Sequence, residues 1–165
     1  MKKFLICILF VTLTGCAGWK INGVPAENFK HMTAKAATQF IAGMGVSYGT
    51  HILGHVGYMK LAEIDYHMEG TREVIDSYIS SATAANIGRS GAIAQLLGGL
   101  LLKYFNQTSS MFNAGYNFNT FLELSTYPLV VDNGDIDLIN ENSNGNLEWG
   151  FYTLGSIYLL DIDFK

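Results

Sequence analysis

Cysteine and proline are scarce, with two of each in 165 residues. Cys7 sits in an apolar N-terminal run and Cys16 just beyond it, so residues 17–165 contain no thiol and no disulfide can staple them. Such a chain must be held by apolar burial or by lipid. Charge is also short: Asp, Glu, Lys and Arg make up 15% of the residues, against about 25% in an ordinary soluble domain. That shortage points to lipid contact or a large interface. The formal charge is −4 and becomes −6 once Lys2 and Lys3 are removed, which excludes a general nucleic-acid binder. No nucleophile elbow, P-loop, GxGxxG or CxxC occurs, so the activities that rest on those motifs have no sequence support. No repeat at a fixed period is present.

What is there begins with a targeting signal. Lys2 and Lys3 precede the apolar run Phe4–Leu13, and small residues follow up to Cys16. This is the layout of a secretory signal. Leu13-Thr14-Gly15-Cys16 resembles the lipobox of bacterial lipoproteins. The resemblance implies that residues 1–15 are a signal peptide, that Cys16 is lipidated, and that the protein resides in the bacterial cell envelope. In the enterobacterial pattern an Asp after the lipidated cysteine retains the protein in the inner membrane. Ala17 stands there instead, which leaves the choice of membrane open. Residues 16–32 then read as a lipid-anchored tether, since GWKINGVPAENFKH has Pro25, Gly18 and Gly23 and no helical apolar period.

The longest stretch without charge is Ala36–Met59, between Lys35 and Lys60. At about 1.5 Å per residue a helix there is long enough for a bilayer core of about 30 Å. Thr33 is a plausible N-cap, and the helix is expected over about 34–63. Gly45 and Gly49 form a small-xxx-small pair suited to close helix packing, and Gly43 with Ser47 forms a second. The expected architecture is mainly α: a small helical bundle, embedded in the membrane, around this glycine-rich central helix. A buried helix in a soluble α-domain is the alternative.

The rest of residues 33–165 reads as one domain. Leu61–Asp76 turns polar and suggests a solvated helix or helical hairpin, with His67 a further candidate ligand. Ser77–Leu102 is a second apolar block interrupted by Arg89. Tyr104–Val131 reads as a helix with a polar stripe (Ser110, Asn113, Asn117) that ends before Pro128, with Glu123 its lone charge. Residues 132–146 are an acidic, Asn-rich loop. It is not a calcium loop, because Asp137 and Ser143 occupy the positions that need glycine and an acid. Leu147–Lys165 reads as a last helix or strand.

His51 and His55 are the residues with possible chemistry. Spacing of four on a helix puts both imidazoles on one face, where they can share a metal. Ile52 stands where the zinc motif H-E-x-x-H has its general base, so the motif is not intact. His51, His55, Asn119, Pro128, Leu129, Asp132 and Gly134 together resemble the core of site-2-protease-like membrane metallopeptidases without the catalytic glutamate. That resemblance implies zinc held by His51, His55 and Asp132. Two functional readings follow. One is a membrane-associated lipoprotein with a His-pair metal site, a degenerate metallopeptidase-like protein with no complete catalytic motif. The other is a non-catalytic helical lipoprotein that acts as an interaction or structural module. Its partners are membrane lipid, through Cys16 and the apolar helices, and a membrane protein or a second copy; nucleic acid is not among them.

Overall fold

The computed structural model describes residues 18–105, 107–130 and 143–163. The signal segment, Cys16, Asp132 and Gly134 lie outside the described residues. The chain is mainly helical. A short helix α1 (Ala26–Lys30) precedes four long ones: α2 (Ala34–Leu61), α3 (Ser81–Phe105), α4 (Ser110–Val130) and α5 (Ser143–Leu160). α2 packs on α3 and α4, and α5 packs on the opposite side of that pair. Contacts run 47 to 95 and 58 to 86 between α2 and α3, and 117 to 159 and 124 to 153 between α4 and α5. Sequential helices therefore alternate in direction, as an up-down-up-down bundle requires.

The central helix forms where the sequence places it. The Thr33 hydroxyl caps it, accepting from the Ala36 N–H at 3.2 Å. Its orientation differs from the expectation. The face turned inward carries Gly43, Ser47, His51, His55 and Met59. Gly45 and Gly49 have open space where a Cβ would stand, so they do not make the close helix crossings within this bundle among the described residues. Close approach is made instead by Gly43 against α4 and Gly54 against α3. A methyl at Gly43 would lie 2.1 Å from the Phe112 carbonyl oxygen, and one at Gly54 would lie 2.4 Å from that of Ser90.

Among the described residues no helix is long and apolar enough to cross a membrane, and the membrane-embedded part of the expectation is not carried over. Absence of charge is not hydrophobicity. In α2, five glycines, two histidines and several Ser, Thr, Gln and Tyr residues dilute its Ile, Leu, Val and Met.

Residues 18–32 do not hang free as a tether. β1 (Lys20–Ile21) and β2 (Val24–Pro25) form a hairpin, and β5 (Ile162–Asp163) pairs with the other edge of β1. The turn is Asn22-Gly23, with φ of 50° and 74°, the left-handed pair that a two-residue hairpin turn demands. Trp19, Ile21 and Val24 are buried, and Trp19 stacks on Phe29 at 6.1 Å. The ring contacts continue through Phe40 to Phe118. Asn22 locks this cap to the end of α5: its N–H bonds the Leu160 carbonyl and its side-chain amide donates to that of Leu159.

Three further elements differ from expectation. The polar stretch after α2 is an antiparallel hairpin of β3 (Tyr66–Glu69) and β4 (Arg72–Ile75), turning at Gly70, where φ is 65°. α5 begins at Ser143, so the expected loop 132–146 runs into a helix at its end. α4 continues through Pro128 to Val130. Proline has no N–H to give the carbonyl four residues back, that of Leu124. The Thr153 hydroxyl of α5 donates to this carbonyl at 3.4 Å. Thr153→Val is therefore expected to cost about 1 kcal/mol, read as a lowered denaturation midpoint, while keeping the side-chain shape.

Candidate functional site

The inward face of α2 brings its polar residues against polar residues of α3 and α4. His51 and His55 are one turn apart, each 8% exposed, with ring centroids 4.3 Å apart and planes at 68°. Gly91 of α3 faces them. A Cβ there would stand 2.6 Å from His55 Nε2 and 2.9 Å from His51 Cε1, so glycine is what allows both imidazoles to fit.

Each histidine gives Nδ1 to a different partner. His51 Nδ1 lies 2.9 Å from Gln95 Oε1. His55 Nδ1 bonds the Glu73 carboxylate, which β4 carries to the edge of the core. The Gln95 amide nitrogen also serves α2 and α4: it donates to Ser47 Oγ at 3.1 Å and to the Glu123 carboxylate. Ser47 in turn shares a hydrogen bond with Thr120 at 2.9 Å and accepts from Asn119 at 3.3 Å. Both carboxylates thus reach the histidine pair through hydrogen bonds, Glu73 directly and Glu123 through Gln95.

The electrostatics follow from burial. Burial lowers the pKa of His51 to about 4, with the neighbouring His55 adding to the effect. His51 is therefore neutral at pH 7, and its Nδ1–H donates to Gln95. The bond from His55 holds the Glu73 carboxyl below the usual range despite partial burial. Burial pushes Glu123 up, opposed by hydrogen bonds from Asn119 and Gln95. His55 Nε2 is buried and has no hydrogen-bond partner among the described residues.

The candidate residues from the sequence are only partly brought together. His51 and His55 converge as the spacing requires. His67 does not join them; it pairs with Asp76 at 2.6 Å on the surface. Asp132 lies outside the described residues, and Ile52 supplies no base. Among the described residues no group of three or more His, Cys, Asp and Glu side chains is arranged to hold a metal ion. The three-ligand zinc site of the membrane metallopeptidases is thus not assembled from them. Gln95 and Glu73 are the members that sequence reasoning missed. Gln95 is the one amide in the uncharged run Ser90–Leu102, a visible signal; Glu73 is hidden among the acids and bases of a solvated-looking stretch. Comparison with known proteins finds no family model, no curated protein and no solved structure that matches this chain.

Proposed function

We propose that this protein is a non-catalytic helical lipoprotein of the bacterial cell envelope, held at a membrane by lipid on Cys16, whose apolar outer face is its contact surface. One observation carries the reading: large apolar side chains stand exposed along three helices while polar side chains fill part of the interior. The outward faces of α2, α3 and α5 expose Ile41 and Leu53, Leu97 and Leu101, and Phe151 and Leu154, each more than half exposed. The buried positions include Ser47, His51, His55, Gln95, Asn117 and Thr120. A helix facing water shows the opposite arrangement, and contiguous exposed apolar surface marks contact with protein or membrane. The face lies against its partner rather than crossing a bilayer. The absence of a general base at Ile52 agrees with a role in contact rather than catalysis.

Fractionation of expressing cells tests this. The wild-type chain is expected in the membrane fraction with a lipid-shifted mass. Cys16→Ala is expected to lose the lipid and to self-associate or require detergent through its outer face. Adding Leu53→Lys and Leu97→Lys to Cys16→Ala is expected to release a soluble, folded monomer. A Cys16→Ala chain that is already a soluble monomer without detergent contradicts the proposal.

A further inference from the structure

We propose that His51, His55 and Met59 form a binding site for a soft monovalent metal ion, Cu(I). This goes beyond the contact role and does not depend on it.

The three residues occupy successive turns of one face of α2, and all are buried, Met59 completely. Long side chains on a helix lean back toward its N-terminus. On that face Met59 stands one turn beyond His55, and His55 one turn beyond His51.

The imidazoles are prepared in the way that metal-ligating histidines are prepared. Such residues give one ring N–H to a carboxylate or carbonyl-type oxygen, which fixes the tautomer and frees the other nitrogen as a ligand. His55 gives Nδ1 to the Glu73 carboxylate, and His51 gives Nδ1 to the Gln95 side-chain carbonyl. A neutral imidazole with its proton on Nδ1 carries a lone pair on Nε2. His55 Nε2 is buried and meets no hydrogen-bond partner among the described residues, a state that costs free energy unless something satisfies it. Glycine at position 91 keeps a Cβ out of the space beside His55 Nε2 and His51 Cε1.

The donor set selects the ion. Zinc in proteins takes a tetrahedral set of nitrogen, sulfur and oxygen ligands, and no third His, Cys, Asp or Glu joins this pair among the described residues. A thioether is a soft ligand and favours Cu(I), while imidazole suits copper as well. Two imidazoles and one thioether, closed from water, match a d10 cation that does without a full tetrahedral shell.

The test uses the purified full-length protein, stripped of metal and titrated anaerobically with Cu(I) in competition with bicinchoninate. Zn(II) is titrated in parallel against a zinc-sensitive dye. One Cu(I) per chain is expected, with sulfur and nitrogen scattering at the copper absorption edge. His51→Ala and His55→Ala are expected to weaken Cu(I) binding by more than about 100-fold, and Glu73→Gln by about 10- to 100-fold. Met59→Leu keeps the core volume and removes the sulfur signal. Gly91→Ala retains every ligand residue but crowds the ring edges, so it too is expected to abolish binding. Far-UV circular dichroism of each variant confirms the helical fold. Failure of the folded wild type to take up stoichiometric Cu(I) overturns the proposal. So does stoichiometric Zn(II) without Cu(I), or Cu(I) uptake that folded Met59→Leu and Glu73→Gln leave unchanged.

Discussion

Gly43→Ala is expected to destabilise the protein by about 3 kcal/mol, whereas Gly45→Ala, two residues along the same helix, is expected to stabilise it by up to about 1 kcal/mol. Both changes add one methyl to α2. At position 45 the methyl meets nothing within 4 Å, so the only effect is the better helix propensity of alanine. At position 43 it meets the Phe112 carbonyl oxygen at 2.1 Å and the Tyr116 nitrogen at 2.8 Å. These are backbone atoms of α4, which cannot swing aside as a side-chain tip can. The reciprocal contact is equally close: a methyl at Gly115 would lie 2.0 Å from the Phe40 carbonyl oxygen. The two helices must part to admit either methyl. Parting them stretches the Ser47–Thr120 hydrogen bond and opens the Phe40–Phe118 contact. Denaturant titration followed by circular dichroism measures both variants. Equal midpoints for Gly43→Ala and Gly45→Ala would refute the close crossing of α2 and α4 at this point.

That contrast also marks how far the sequence could be read. The existence and start of α2 were legible, because Thr33 is a capping residue and the following run has no proline. Which of its glycines touch a neighbour was not. Gly43 and Gly45 are about 200° apart around the helix, and each heads a small-xxx-small pair. Only the position of α4 decides between them. The hairpin at 66–75 was hidden for a related reason. Its charged residues suit a solvated helix as well as a solvated strand pair, and the deciding features are Gly70 at positive φ and pairing across the turn. The N-terminal cap was illegible because two-residue strands have no period. Their partner, β5, lies at the far end of the chain. Asn22-Gly23 was the one local signal, a hairpin turn dipeptide in what otherwise reads as a linker.

The candidate site shows the same limit. A spacing of four placed the two histidines together without help from tertiary structure. Their partners come from β4, α3 and α4, each brought in by packing. Glu123 was visible as a lone carboxylate, and Gln95 as a lone amide among apolar residues and glycines. Nothing local says that one stands between the other and His51.

Removing that amide has the second large expected effect: Gln95→Leu is expected to cost about 3–5 kcal/mol despite its similar size. Gln95 is completely buried and sits where three helices meet. Its carbonyl faces His51 Nδ1, and its nitrogen serves Ser47 and the Glu123 carboxylate. Leucine gives none of them a partner. A buried donor or acceptor left unpaired costs about 1–3 kcal/mol, and more for a charged group. Glu123 suffers most, since it loses one of the two hydrogen bonds that oppose the burial already raising its pKa. The cost is therefore expected to fall when Glu123 is also neutralised. In a double-mutant cycle, Gln95→Leu with Glu123→Gln is expected to be less destabilising than the two single changes added, by about 1–3 kcal/mol. Strict additivity would mean that Gln95 and Glu123 act separately. A favourable coupling would mean that the polar interior of this bundle is one network. Its members then tolerate loss together better than loss alone, because a half-satisfied buried network is worse than an apolar core.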